Sequence, residues 1–352
     1  MLSLHEFSDM VFGLFGFSPL FADKRVYVDF IANPTAGGFT IKLLLEKHEK
    51  HLEESYRYAS SVPPNAAQVY GRLFRTERKG HAIEFARRIL KESLGDEPGS
   101  ERVIVTAGGD GTSLEVQGAL MEADPAVRKR VAILRLPMGT GNDGSDGKTL
   151  ESSLKLLTMP SEFFYAPALK VTVGGRPARH AFNIASAGLD AYVTMMTNKL
   201  KGKVPGDSYR LWVDLASVFY PLSYPTVPTR VRAWDQGGAL TEDFEDGLLL
   251  AAMGVSGRRF YGSGIPILPD DRNVCAVRDM PLLRKLALKG KFKVGAHAEF
   301  PETRLFSASR IEISRERPVL IQLDGEAELV RPEDFPVTME ITEPSIRRMR
   351  LI

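Results

Sequence analysis

Three short glycine-rich segments carry the residue types that hold phosphate. They are Asn33-Pro34-Thr35-Ala36-Gly37-Gly38, Gly108-Gly109-Asp110-Gly111-Thr112 and Leu136-Pro137-Met138-Gly139-Thr140-Gly141-Asn142-Asp143. Glycine lets a backbone N–H approach a phosphate oxygen with no Cβ in the way. A helix opening just after such a loop adds a dipole that favours an anion. Thr112 and Thr140 offer hydroxyl donors, and Asn33 and Asn142 offer amide donors. Asp110 is of another kind. A carboxylate repels a polyphosphate unless a cation lies between them or a hydroxyl proton is being taken. The bland alternative is that each loop is only a tight turn after a strand. Gly-Gly-Asp-Gly-Thr is the most specific of the three, because glycines crowded around one carboxylate are costly to keep merely for a turn. No GxxxxGK[ST] phosphate loop and no kinase-type HRD catalytic loop is present.

A fourth segment, Asp324-Gly325-Glu326, follows the apolar run VLIQL. Asp-Gly is a favoured pair for a type I′ hairpin turn. The two acids also offer one carboxylate as a general base.

The elements around these segments alternate over the first half of the chain. VYVDFI (26–31), a stretch within 66–75, RVIVT (102–106) and VAILRL (131–136) read as strands. Residues 42–52, 80–93 and 114–121 carry apolar side chains at helical spacing. That alternation predicts a doubly wound α/β domain, in which ligands bind beyond the carboxyl ends of the strands. All three glycine-rich loops follow strand candidates and can converge there. From about Ala166 the pattern changes to LKVTV, HAFNIAS, TRVRAW, LLLAAMGVS, RIEI, VLIQL and VTMEI, divided by glycine-rich turns. Short strands of this kind predict a β-sandwich or barrel-like domain. Helices are expected within it over Asp190–Lys199 and Tyr209–Phe219. The expected division is 1–163 and 164–352, with the C-terminal tail free to return to the first domain.

The 352 residues suit about two domains. With 43% hydrophobic and 26% charged residues, the chain is neither disordered nor a membrane bundle. A net charge of +2 gives no basic field for nucleic acid. The single cysteine, Cys275, excludes an intrachain disulfide and a multi-cysteine metal site. The uncharged run MVFGLFGFSPLFA (10–22) is too short to span a bilayer and lacks a basic segment before it. It reads as a core-covering element or as a shallow membrane contact.

The order of these segments resembles the diacylglycerol kinase catalytic-domain family, which includes bacterial lipid kinases and sphingosine and ceramide kinases. Asn33-Pro34 with Gly37, Gly108–Thr112 followed by Glu115-Val116, Leu136–Asp143 and Asp324–Glu326 carry the resemblance. Minor elements are Thr76 with Gly80-His81-Ala82, Phe182-Asn183 with Gly188, and Gly262–Pro269. The resemblance implies an α/β domain similar to those of NAD kinase and phosphofructokinase, a C-terminal β-sandwich for the lipid, and ATP in a cleft between them. It implies nucleotide or Mg²⁺ contacts at Asn33, Thr76, Gly108, Gly109, Asp110, Gly111, Thr112, Gly139, Thr140 and Asn142. Glu326 matches the family's proposed proton acceptor, supported by Asp324, whereas sphingosine-kinase-like members give the base role to the aspartate matching Asp110. Three departures stand out. Leu114 replaces a usual asparagine, Gly144-Ser145-Asp146-Gly147 follows Asn142-Asp143, and Arg272 falls where a second magnesium loop would have glycine after Asp270-Asp271.

The expected activity is therefore ATP-dependent phosphoryl transfer to a hydroxyl of diacylglycerol or a related lipid such as a sphingoid base. The expected setting is cytoplasmic and peripheral to a membrane, with a homodimer among the family's options and no nucleic acid partner. The basic stretch PLLRKLALKGKFKV (281–294), with no acid from Leu282 through Ala298, and the tail IRRMRLI (346–352) read as anionic-membrane contacts or as solvated basic faces. Two other readings stay open: a kinase for a soluble substrate, similar to NAD kinase, and a nucleotide- or lipid-binding regulator without catalysis.

Overall fold

The computed structural model describes residues 2–139, 149–200, 220, 224–261 and 264–352. Thr140, Asn142, the 144–147 segment, the helix expected over Tyr209–Phe219 and Gly262 lie outside the described residues. The chain divides into two units, Met1–Pro167 with Glu343–Ile352, and Ala168–Thr342. Elements are numbered in chain order.

The first unit is built on one mixed sheet. Strands β1 (Arg25–Ala32), β2 (Gln68–Arg75), β3 (Glu101–Gly108) and β4 (Val131–Pro137) are parallel. With β5 (Ser161–Ala166) and the last strand, β19 (Ile346–Leu351), they give the order β2-β1-β3-β4-β19-β5. Residues alternate across β1. Val26, Val28 and Phe30 join the core formed with α1 (Leu4–Phe17), α3 (Lys42–Ser60) and α7 (Leu150–Thr158). Ile31 and, on β3, Ile104 are buried on the opposite face, which packs against α4 (His81–Glu92) and α5 (Asp110–Glu122). Cover on both faces is why VIV- and AIL-type runs form central parallel strands. Short helices α2 (Gly37–Thr40) and α6 (Pro125–Arg128) complete the unit.

The N-terminal apolar run forms most of α1. Ser3 and Glu6 close a capping box at its start, and Phe7, Val11, Leu14 and Phe15 are fully buried. Each such side chain contributes about 1.5–3 kcal/mol of burial free energy. The run is a core helix, and the membrane-contact reading is corrected.

The basic tail is corrected too. It is β19, parallel to β4 and antiparallel to β5. Arg347 pairs with Glu101 at 2.6 Å and lies over the Phe163 ring, Arg348 donates to Gln117, and Arg350 pairs with Glu162 at 2.7 Å. The partners lie far away in sequence, so the tail reads as uncompensated charge until it is folded.

The second unit is antiparallel. Strands β6 (Leu169–Val173), β7 (Arg179–Ala181), β8 (Ile184–Gly188), β9 (Pro228–Trp234) and β10 (Leu240–Gly254) precede the small hairpin β11 (Arg259–Tyr261) and β12 (Ile265–Leu268). Then follow β13 (Val274–Arg278), β14 (Thr303–Phe306), β15 (Arg310–Arg315), β16 (Val319–Leu323), β17 (Glu326–Val330) and β18 (Val337–Ile341). The long β10 pairs with β9 through its first half and with β8 and β13 through its second half. One strand thereby joins two layers, β9-β15-β18-β6-β7 and β17-β16-β8-β10-β13-β14. Val171, Ala185, Val231, Ile311, Ile321 and Met339 lie in the shared core, as in a sandwich. Helix α8 (Leu189–Leu200) follows β8, and α9 (Leu282–Phe292) carries much of the basic stretch.

Candidate functional site

In the first unit the glycine-rich loops meet at the carboxyl ends of the parallel strands, and backbone hydrogen bonds tie them together. Asn33 N–H donates to Ala107 O at 2.9 Å, Met138 N–H to Gly108 O at 2.8 Å, and Gly38 N–H to Met138 O at 2.7 Å. Thr76, just past β2, donates its N–H to Ala32 O at 2.8 Å. The described parts of all three loops and the end of β2 thus form one rim. Asn33 Oδ1 accepts from Thr35 N and Oγ1 at 3.0 and 2.8 Å, an Asx turn that fixes its side chain. Glu115 in α5 accepts from Gly80 N at 2.7 Å, which links the Gly80-His81-Ala82 element to the Gly-Gly-Asp-Gly helix.

Helix α5 opens at Asp110, with Gly109 as its N-cap. No side chain caps this end, so its first N–H groups and dipole face the rim. Thr112 is nearly buried beneath Gly108 rather than standing on the surface. Asp110 is partly exposed and forms an ion pair with Arg135. Arg135 is only 5% exposed, and among the described residues its Nε and Nη1 have no hydrogen-bond partner. The guanidinium and the carboxylate form a pair with no net charge, so Arg135 offsets the charge that Asp110 brings to this edge. Sequence reading passed over Arg135; the available signal was one arginine inside the otherwise apolar strand VAILRLP.

In the second unit, Asp324 and Gly325 are the centre of the hairpin turn between β16 and β17, with φ of +46° and +94°. The turn reading of this segment therefore holds, and it places Glu326 as the first residue of β17, paired with Leu323. Asp324 is also an anchor. Its carboxylate accepts from the N–H groups of Phe182, Asn183 (3.0 Å) and Ile184 (2.8 Å), and its own N–H donates to Ile184 O at 3.0 Å. These contacts give the Phe182-Asn183 element its purpose, and they cast Asp324 as a positioning residue.

Asp270 grips Arg272 at 2.5 Å, and Asp271 pairs with Arg258 at 2.7 Å. Arg272 and Arg258 hold these two carboxyls below their ordinary values. A cation there would have to displace a guanidinium. Among the described residues no group of three or more His, Cys, Asp or Glu is placed to hold a metal ion. Asp110 is likewise paired, with Arg135, so Mg²⁺ there would share that carboxylate with the guanidinium and take its other ligands from substrate phosphates and water.

In α9, Arg284 pairs with Glu302 at 2.9 Å and Lys285 with Asp279 at 2.5 Å, so two of the expected membrane cations are spent on acids flanking the stretch. The side chain of Lys289 lies outside the described residues. Lys291 and Lys293 are exposed, and so are Leu283 (83%) and Val294 (72%).

Glycine-rich loops at the carboxyl edge of the parallel strands stand where α/β folds bind their ligands. Residues 28–157 match the model of the diacylglycerol kinase catalytic domain. The chain is 27% identical over 260 residues to a protein named "Probable lipid kinase YegS-like" from Xanthomonas oryzae pv. oryzae (strain MAFF 311018), covering 70% of this chain and 78% of that one. A protein of the same name from Chromohalobacter salexigens is 35% identical over 126 residues, 35% of this chain and 38% of its own. The crystal structure of a diacylglycerol kinase from Bacillus anthracis str. Sterne shares the fold with a TM-score of 0.56 at 17% identity, covering 93% of this chain and 96% of that one.

Proposed function

We propose that this protein is an ATP-dependent lipid kinase that phosphorylates a hydroxyl of diacylglycerol or a related lipid such as a sphingoid base, at the cytoplasmic surface of a membrane. The carrying observation is the tied rim of glycine-rich loops around the start of α5, inside the segment that matches the diacylglycerol kinase catalytic domain.

In this reading the backbone of Gly108, Gly109, Gly111 and Gly139, with Asn33, Thr76 and Thr112, positions the ATP phosphates. Thr140 and Asn142, outside the described residues, supply further hydroxyl and amide donors in this reading. Asp110 would hold Mg²⁺ arriving with the phosphates, and that ion would supply charge neutralisation for the transferring group. Arg135, paired with Asp110, offsets the charge of that carboxylate beside the phosphates. An aspartate already committed to a guanidinium is a poor proton acceptor, and this favours Glu326 as the base. Glu326 takes the proton of the lipid hydroxyl. That oxygen bonds to the γ-phosphorus as the bond from phosphorus to the β,γ-bridging oxygen breaks, and ADP leaves. Exposed Leu283 and Val294 beside Lys291 and Lys293 suit an anionic bilayer surface.

Radiolabelled ATP with a panel of diacylglycerol, sphingosine, ceramide, phosphatidylglycerol and NAD, resolved by chromatography, tests the reading. Label on one of the lipids is expected, and Glu326→Gln is expected to abolish it. Label on NAD alone would overturn the lipid assignment, and nucleotide binding with no transfer would favour the non-catalytic regulator. Full turnover by Glu326→Gln would overturn the base assignment.

A further inference from the structure

Beneath the Asp-Gly-Glu turn runs a file of buried polar groups that the proposed chemistry does not use. Gly325 N–H donates to Gln322 Oε1 at 2.8 Å. Gln322 Nε2 donates to Ser186 Oγ at 2.8 Å, and the two residues face each other across β16 and β8. Ser186 Oγ donates to Asp190 Oδ2, and Tyr261 OH donates to the same oxygen at 2.5 Å. Ser186 is 0% exposed and Gln322 3%. On the same face of the sheet, two positions along each strand, Ile184 and Leu320 are apolar and buried.

A polar file inside an apolar layer is expensive unless every member is satisfied, and packed hydrophobic residues would stabilise the sheet as well or better. Burial pushes the Asp190 carboxyl and the Tyr261 phenol above their ordinary values, so this part of the file carries a further electrostatic cost. The hairpin alone does not call for it, since Asp324 already fastens the first turn residue to the Phe182–Ile184 backbone. What the file adds is a hold on the second turn residue, Gly325. With both central residues fixed, the direction in which the chain leaves the turn is fixed, and Glu326 is the next residue.

We infer that Asp190, Ser186 and Gln322 are positioning residues for Glu326, acting through the Gly325 N–H. The inference rests on the reading of Glu326 as proton acceptor. The hydroxyl of Ser186 is the link that carries it: it is at once the acceptor for Gln322 and the donor to Asp190.

The test compares Ser186→Ala and Gln322→Met with the full-length parent, using whichever lipid of the panel is phosphorylated. The expected result is a fall in kcat of about ten-fold or more, about 1.4 kcal/mol in the barrier. KM for ATP should stay within about two-fold, because the nucleotide rim belongs to the other unit. Asp190→Asn keeps an acceptor for both hydroxyls and should recover most of the loss seen in Asp190→Leu. Hydrogen-exchange mass spectrometry should show faster exchange in residues 319–330 of Ser186→Ala, with the first-unit strands unchanged. Tyr261→Phe, which removes one oxygen, should act in the same direction with a smaller effect. Parental kcat in Ser186→Ala and Gln322→Met, with Glu326→Gln inactive, would overturn this inference alone. A kcat loss matched by an equal loss of ATP affinity, or exchange unchanged at 319–330, would overturn it as well. Full activity of Glu326→Gln would instead remove the reading on which it rests.

Discussion

Alanine placed in turn at Gly108, Gly109 and Gly111 separates what the fold needs from what a ligand needs. A methyl at Gly108 would lie 2.5 Å from Thr112 Oγ1 and 2.8 Å from Thr112 Cβ. Thr112 is 9% exposed in the first turn of α5, so it has little room to give. Such overpacking costs about 1–3 kcal/mol. For a body of this size that lowers Tm by about 2–12 °C. A methyl at Gly109 would have Gly139 Cα as its nearest neighbour at 3.6 Å, an ordinary contact, and one at Gly111 meets nothing within 4 Å. Neither residue has a left-handed φ. Alanine at Gly111 also gains helix propensity of up to about 1 kcal/mol. Both variants should therefore melt at or above the parental temperature. If backbone N–H groups there contact phosphate, the same methyls occupy the ligand's space. The Kd for a fluorescent ATP analogue should then rise at least about ten-fold, or about 1.4 kcal/mol. Parental melting with parental affinity in both Gly109→Ala and Gly111→Ala would refute the phosphate rim. Loss of affinity in Gly108→Ala with no loss of stability would refute the packing argument.

Three further outcomes are expected. In a double-mutant cycle, Arg135→Leu and Asp110→Asn should couple by about 0.5–3 kcal/mol in thermal or denaturant unfolding, and strictly additive effects would dismiss the ion pair. Burial raises the Asp190 carboxyl, so between its unfolded and folded values the folded chain holds the extra proton. Stability from this group is fully present below the ordinary carboxylate value and is lost as pH rises through the folded value. Asp190→Asn should lessen that decline in urea titrations, and parallel curves would reject it. Replacing Lys291 and Lys293 by Glu should reduce sedimentation with anionic vesicles but not change binding of the ATP analogue; undiminished, salt-insensitive sedimentation would reject α9 as the contact.

Periodicity and turn chemistry made most of the first unit legible. The strand expected over 131–136 is β4, and the helix expected over 80–93 is α4 within a residue at each end. The helix expected from Leu114 begins earlier, at Asp110. Gly109 serves as the N-cap, and packing of α5 against β3 overrides the local cost of Gly111 in the first turn, about 1 kcal/mol. Likewise α3 runs on to Ser60 because Tyr56 and Ala59 continue its buried side past Leu52. Charge was the least legible property. Arg347 and Arg350 meet acids 246 and 188 residues away, and Arg284 meets Glu302, just outside the window that looked purely basic. At the Asp-Gly-Glu segment the turn and the acids were both visible. The three backbone donors gripping Asp324, and the Ser186–Gln322 link, were not, because they depend on β8 and β16 becoming neighbours.

The place of β19 carries a consequence for biosynthesis. The first unit's sheet has β4 and β5 on either side of a gap that only residues 346–351 fill. Everything between, Ala168 to Thr342, leaves the ribosome before that strand does. The nascent nucleotide unit must therefore wait, with two strand edges unpaired, while the entire sandwich is translated. Its completion is timed by the codons for residues 346–351, and a stop ahead of them would spoil the half of the molecule that was made first.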